Sequence, residues 1–176
     1  VQAFQHIAAQ APELPCPRVI PSSNGEAMLS LPDDSGADRL CWVLDCLPGK
    51  CYANAAPKTT SLIHEVGAAL GGVGKALADF QHPNLARDFK WDLMRGDWIS
   101  DKLDCITNPA RRQIIDDICA GFSSMKPILT KLPKQAVHND ANDYNIMVAG
   151  KLDATHVSGL IDVGDMCSAP RACDLA

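Results

Sequence analysis

Two short apolar runs near the end of the chain, Ile146-Met147-Val148 and Val157-Ser158-Gly159-Leu160-Ile161, flank a polar stretch from Ala149 to His156 that contains Gly150 and Asp153. Runs of this length bounded by turn residues read as β-strands, and the stretch between them reads as their connecting loop. The spacing predicts an antiparallel hairpin in which Ile146 faces Ile161 and Val148 faces Gly159. Such a register constrains more than the hairpin itself. It delivers Asn145, just before the first strand, and Asp162, just after the second, to the same open end, a few ångströms apart.

Immediately upstream lies the polar loop His138-Asn139-Asp140-Ala141-Asn142-Asp143-Tyr144-Asn145. Read alone, a loop of Asn and Asp is what a solvated turn looks like, because these side chains satisfy their own backbone. Joined to Asp162 at hairpin spacing, it acquires a chemical meaning. Two convergent oxygen ligands, Asn145 and Asp162, suit Mg²⁺, which takes few protein ligands and leaves positions for phosphate oxygens and water. Asp140, on the same rim, is placed to accept a proton from a substrate hydroxyl or to orient it.

The order His138-x-Asp140 with Asn145, then Ile161-Asp162-Val163-Gly164-Asp165, resembles the phosphotransferases related to protein kinases. More narrowly it resembles the aminoglycoside phosphotransferase superfamily, which also holds choline, homoserine and hydroxylysine kinases. Residues 138–146, Gly159 to Met166 and the terminal Cys173-Asp174-Leu175-Ala176 are similar to hydroxylysine kinase and to the kinase-like domains fused to class III aminotransferases. Phe89-Lys90-Trp91-Asp92-Leu93 and Leu47-Pro48-Gly49 support the same branch. The resemblance spans about Gln5 to Ala176. Val163 departs from it, standing where an aromatic is common between the Asp and the Gly.

The resemblance implies an α+β, protein-kinase-like two-lobe fold. Residues 1–49 would form a partial N-lobe of few antiparallel strands and the hinge. Residues 50–176 would form a mainly helical C-lobe, truncated at its C-terminal end, with the catalytic loop at 138–145 and a metal-binding segment at 161–165. Asp140 would be the base or orienter, and Asn145 and Asp162 would hold Mg²⁺. His138 would be a scaffold residue packed beneath the loop. Backbone groups near Asp45 and Leu47 would meet the base of ATP or GTP at the hinge, although a plain loop after a strand explains those residues as well. Asp165 is open to two readings, a carboxylate facing the substrate or a cap for the next segment. The implied activity is transfer of a nucleotide's γ-phosphoryl to a hydroxyl of an aminated metabolite, with 5-hydroxylysine leading. Other aminoglycoside, choline or homoserine kinase-like enzymes, or a non-catalytic module attached to an aminotransferase, are the alternatives.

Composition bounds the partners. With 176 residues and 47% hydrophobic content, one sizeable core is within reach and two independent domains would be cramped. A net charge of −5 argues against nucleic acid or an anionic membrane and suits a cationic small-molecule amine or amino acid. No apolar run approaches membrane-spanning length and no basic-then-apolar leader is present, so the cytoplasm is the expected location. The eight cysteines include no C-x-x-C pair, and the five-residue interval of Cys41, Cys46 and Cys51 fits no common zinc spacing, so buried reduced thiols are expected.

Along the chain, Val1 to Gln10 reads as the tail of a helix and Pro17 to Pro21 as extended. Ala27 to Leu31 and Arg39 to Leu44 read as two strands joined by the turn Pro32-Asp33-Asp34-Ser35-Gly36. After the start signal Thr59-Thr60-Ser61, the residues Leu62, Val66, Ala69, Leu70, Val73 and Leu77 form one helical stripe. Its glycines, Gly67, Gly71, Gly72 and Gly74, suggest close approach of a neighbour rather than a phosphate loop. Ala76 stands where such a loop needs Ser or Thr. A second helix starts at Asn108-Pro109, with the stripe Ile114, Ile115, Ile118, Phe122 and Met125. Between the helices, Phe89, Trp91, Leu93, Trp98 and Ile99 are expected to serve core packing, with Trp91 as a cation–π wall for an amine the alternative.

A kinase of this kind also needs a phosphate-covering loop, an N-lobe lysine and a partner glutamate. Every lysine here lies at position 50 or later. The sequence is therefore expected to be a fragment with little phosphoryl transfer of its own.

Overall fold

A computed structural model describes residues 1–150 and 156–175. By packing, the described residues form two compact units. The first comprises Val1–Phe80 with Asp140–Gly164, the second Gln81–Asn139 with Asp165–Ala176. The expected lobe boundary at 49/50 lies inside the first unit.

In the first unit, α1 (Gln2–Gln10) buries Phe4 and Ile7 and packs on α2 (Thr60–Ala76). The Thr59 hydroxyl accepts the Leu62 N–H and caps α2, as the Thr59-Thr60-Ser61 signal predicts. The predicted stripe is the covered face: Leu62, Val73 and Leu77 are buried, and Val66, Ala69 and Leu70 are half-buried. A Cβ on Gly72 would meet the Leu14 side chain at 2.7 Å, so close approach does account for that glycine.

The N-terminal strands are short. β1 (Val19–Ile20) pairs with β4 (Val43–Leu44), and β2 (Leu29–Pro32) pairs with β3 (Asp38–Cys41), both antiparallel. The single strand expected over Arg39 to Leu44 is thus broken at Trp42, and its two halves serve different partners. The expected turn is present. Its Asp33 carboxylate accepts from the Ser35 hydroxyl, the Ser35 and Ala37 N–H groups and the Arg39 guanidinium, which hold its pKa down to about 2.

The central element is a three-stranded antiparallel sheet in the order β5 (Lys50–Cys51), β7 (Ile146–Ala149), β8 (His156–Leu160). The predicted hairpin forms, with a different register. Ile146 faces Leu160, Met147 faces Gly159 and Val148 faces Val157, with an irregularity between Met147 and Val148. Ile146 and Met147 already pair one residue away from the expected register, and the irregularity then shifts Val148 by one residue more. The Asp153 part of the predicted loop lies outside the described residues.

Ile146 and Val148 alternate with less buried neighbours and point into the core, at 5% and 0% exposure. Each such burial contributes about 1.5–3 kcal/mol. The backbone of β8 finds further partners beyond β7. Glu65 of α2 accepts the Val157 N–H at 2.9 Å, and Pro15 O accepts the Leu160 N–H at 2.8 Å. The Ser158 hydroxyl donates to Pro48 O, tying the expected hinge to the sheet. Gly49 sits at φ 114, and a Cβ there would run into the Val148 carbonyl. Only glycine serves at that position.

In the second unit, β6 (Lys134–Val137) and β9 (Cys167–Pro170) form an antiparallel ribbon over a small core of Met94, Val137, Cys167, Ala169 and Cys173. Beside it, α3 (Pro109–Leu129) is capped by Asn108, whose side chain accepts the Arg111 N–H. Its expected stripe is only half right. Ile115 and Phe122 are partly covered, but Ile114, Ile118 and Met125 are exposed. The partly covered row is instead Arg112, Ile115, Cys119, Phe122, Lys126 and Leu129. Polar members belong to it because the Arg112 guanidinium donates to Ile106 O and Lys126 pairs with Asp97 across the 3-10 segment Leu93–Cys105.

The aromatic segment also departs from expectation. Phe89 packs on the small core, but Trp91 is 60% exposed and Trp98 and Ile99 lie at the surface. Of the cysteines, Cys16, Cys167 and Cys173 are buried as expected, whereas Cys41, Cys46 and Cys105 are exposed. Among the described residues no helix is long and apolar enough to cross a membrane.

Candidate active site

Asp140, Asn145 and Asp162 all fall in the first unit, around the open end of the β7–β8 hairpin. The segment Asp140 to Asn145 folds back on itself. Asn142 O accepts the Asn145 N–H at 2.9 Å, and Asn145 Nδ2 donates to both Asp140 Oδ2 and Asp140 O at 2.8 Å. With Nδ2 so engaged, the Asn145 oxygen Oδ1 is the atom of that amide turned away from Asp140. A second amide, Asn142 Nδ2, donates to Asp140 Oδ1 at 2.7 Å.

Asn145 O accepts the Ile161 N–H at 2.9 Å, so these two residues pair where β7 and β8 open, and Asp162 follows directly. Asp162 takes the left-handed conformation at φ 60, which Asp tolerates better than most residues. Its Oδ1 accepts the Gly164 N–H at 3.0 Å, a local turn that fixes the side chain. The juxtaposition foreseen from the hairpin therefore survives the altered register, carried by the Asn145–Ile161 bond.

The outer side of the loop is fastened by the segment after β5. Ala53 N–H donates to Asp143 O at 2.9 Å, and Lys58 Nζ lies 2.9 Å from Asp143 Oδ2 and 4.2 Å from the Tyr52 ring centroid.

Donor chemistry decides which cation these residues fit. No three His, Cys, Asp or Glu side chains gather as a metal cluster among the described residues. What is present is an amide oxygen and a carboxylate, hard ligands too few to cage an ion. That set suits a divalent cation completed by phosphate oxygens and water.

The remaining expected residues are placed as follows. Asp45 lies after β4, where its N–H donates to Arg18 O at 3.0 Å and its carboxylate accepts the Arg18 N–H at 2.6 Å. That N–H is thus already engaged. Leu47 packs over Gly159, where a Cβ would collide with its side chain. In the second unit, Asp165 lies 3.9 Å from Arg87 Nη2, whose guanidinium also covers the Phe89 ring at 4.4 Å. Trp91 is exposed with Lys90 Nζ 4.9 Å from its ring centroid, and its backbone O accepts from Asn139 Nδ2 at 3.1 Å.

His138 is fully buried. The anchor that sequence reasoning did not single out is Asp174. Its carboxylate accepts the N–H of His138 at 3.1 Å and of Asn139 at 2.7 Å. Among the described residues Asn139 is the other non-glycine residue with positive φ, at 66. The two Asp174 bonds and the Trp91 bond together hold this conformation just before Asp140. Nothing local marked Asp174, since its partners lie some 35 residues upstream.

The sequence pattern of the phosphotransferase enzyme family (APH) matches residues 1–176. The chain belongs to that family. Among curated proteins it is similar to hydroxylysine kinase of Mus musculus, 29% identical over 156 residues, covering 81% of this chain and 41% of that protein. Among solved structures it is similar to an amicoumacin kinase in complex with AMP-PNP, Ca²⁺ and Ami. The TM-score is 0.65 at 15% identity, over 99% of this chain and 49% of the other. An aminoglycoside 2'-phosphotransferase in its GDP complex gives a TM-score of 0.50 at 13% identity, over 98% of this chain and 59% of that one. The fold is therefore kinase-like. The chain spans roughly half the length, or less, of the first relatives it matches.

Proposed function

We propose that the full-length protein to which this chain belongs transfers the γ-phosphoryl of ATP or GTP to a hydroxyl of a small aminated acceptor, with 5-hydroxylysine the leading candidate. The observation that carries this reading is the bond from Asn145 Nδ2 to Asp140 Oδ2 at 2.8 Å. It aims the Asp140 carboxylate and, in the same stroke, turns the Asn145 oxygen away from it. Membership of the phosphotransferase family supports the reaction class, and the hydroxylysine kinase relative supports the acceptor.

In this reading Asp140 orients the acceptor hydroxyl and receives its proton as the hydroxyl oxygen bonds to the γ-phosphorus. The bond from that phosphorus to the β–γ bridging oxygen breaks, and the nucleoside diphosphate leaves with the electron pair. Asn145 and Asp162 would hold Mg²⁺, which when bound neutralises charge on the phosphate oxygens. Backbone groups near Asp45 and Leu47 would meet the nucleotide base. By the resemblance, Asp165 and Trp91 would be the groups that recognise the acceptor's ammonium, which a carboxylate and an aromatic face both favour. The reaction belongs in the cytoplasm, and fusion to an aminotransferase in the parent protein is compatible with it.

The test is a transfer assay on the full-length protein with γ-labelled ATP and GTP against 5-hydroxylysine, choline, homoserine and an aminoglycoside. Label appearing in phosphohydroxylysine is the expected result. Label in another acceptor would move the assignment within the family, and label in none would reject the activity.

A further inference from the structure

Asn142 stands two residues beyond Asp140, and its side-chain amide has chemistry at both ends. Its Oδ1 accepts the Tyr144 N–H at 2.8 Å, a bond only an oxygen can make with that donor. The amide cannot then be flipped, so its Nδ2 is the end that faces Asp140 Oδ1, at 2.7 Å. Asp140 thus receives an amide N–H on each carboxylate oxygen, from Asn142 on one and from Asn145 on the other. Asn145 would be shared with the metal. Asn142 has no such second duty among its bonds, since its other end is spent on the turn.

We propose that Asn142 is a positioning residue for Asp140, setting the rotation of its carboxylate so that the acceptor hydroxyl meets a fixed oxygen. The inference rests on the reading of Asp140 as the group that receives or orients that hydroxyl. Two donors on opposite oxygens define the carboxylate plane, where one alone would leave it free to turn. Because the Tyr144 N–H locks the Asn142 rotamer, orientation passes from the loop backbone to the reacting carboxylate through one rigid amide.

Asn142→Asp separates this role from mere support of the turn. The substitution keeps an oxygen for the Tyr144 N–H, so the turn survives. It also sets a carboxylate oxygen against Asp140 Oδ1, where like charge drives the two apart. In the full-length protein the expected result is a kcat lower by about tenfold or more, the scale on which catalytic misorientation acts. The KM for nucleotide should stay near that of the unsubstituted protein, and the Tyr144 backbone amide should keep its position, showing the turn intact. Full kcat in Asn142→Asp, beside an inactive Asp140→Asn control, would overturn the proposal and leave the assigned activity standing. An active Asp140→Asn would instead remove the reading of Asp140 on which the proposal rests.

A second measurement does not depend on turnover. In the ¹⁵N–¹H spectrum one Asn142 side-chain proton should be shifted downfield and protected from exchange. Both features should vanish in Asp140→Ala while the Tyr144 backbone amide keeps its position. An Asn142 amide with the shifts of a solvated side chain in the unsubstituted protein would refute the bond, and the proposal with it.

Discussion

Asp174→Asn isolates the anchor of His138 and Asn139. The carboxylate accepts two backbone N–H groups, from His138 at 3.1 Å and Asn139 at 2.7 Å. Hydrogen bonds to a charged acceptor contribute about 1.5–3 kcal/mol each. Asp174 is only half-buried, so the lower end applies to both. Asparagine retains one acceptor and presents an NH₂ to the other N–H, which loses one bond and strands a donor. The net loss is about 2–3 kcal/mol. For a chain of this size about 1 kcal/mol moves the melting temperature by about 2–4 °C, so a fall of about 4–12 °C is expected. Calorimetry reads the shift, and hydrogen exchange at the Asn139 amide should quicken alongside it. An unchanged melting temperature with an equally protected Asn139 amide would refute the claim that Asp174 holds these two residues.

Ile146→Ala removes a residue 5% exposed in the central strand and should cost about 2–5 kcal/mol, read by denaturant unfolding. Thiol chemistry should divide by burial. At pH 8 a maleimide should label Cys41, Cys46 and Cys105 quickly while sparing Cys16, Cys167 and Cys173 until the chain unfolds. Burial, aided by Asp92, Cys173 and Asp174, pushes the Cys167 thiol up to about 12, and burial pushes Cys16 up to about 11. Both folded values are raised above the ordinary thiol value of 9.0, so the stability these thiols contribute is complete below that pH. It is lost progressively as pH climbs toward 11–12. A pH titration of the melting temperature should therefore fall over that alkaline range.

The parts of the fold that were readable in the sequence are those set by short-range chemistry. Thr59 and Asn108 announced two helix starts through capping, and the stripe from Leu62 to Leu77 marked the buried face of α2. The hairpin was readable from its two apolar runs, but its register was not, because neither the one-residue offset at Ile146 nor the irregularity between Met147 and Val148 leaves a mark in composition. On α3 the apolar pattern pointed to Ile114 and Ile118. The partly covered row instead includes Arg112 and Lys126, whose partners, Ile106 and Asp97, lie just after and within a 3-10 segment that no periodicity reveals.

The site divided the same way. Asp140, Asn145 and Asp162 were visible because loop and hairpin are local. Asp174 reaches back across some 35 residues of sequence to the residues it holds. Asn142 passed as an ordinary turn residue, since its contact with Asp140 depends on a rotamer that only the folded loop defines.

The central claim is that Asp140 and Asp162 carry a metal-dependent phosphoryl transfer. It is tested most directly by γ-phosphoryl transfer in the full-length protein, compared with Asp140→Asn and Asp162→Ala at saturating Mg²⁺ and nucleotide. The account predicts that each substitution lowers kcat by at least about a hundredfold, as loss of a base or of a metal ligand does. It predicts further that only Asp162→Ala shifts the Mg²⁺ requirement. Normal turnover in both variants would contradict it.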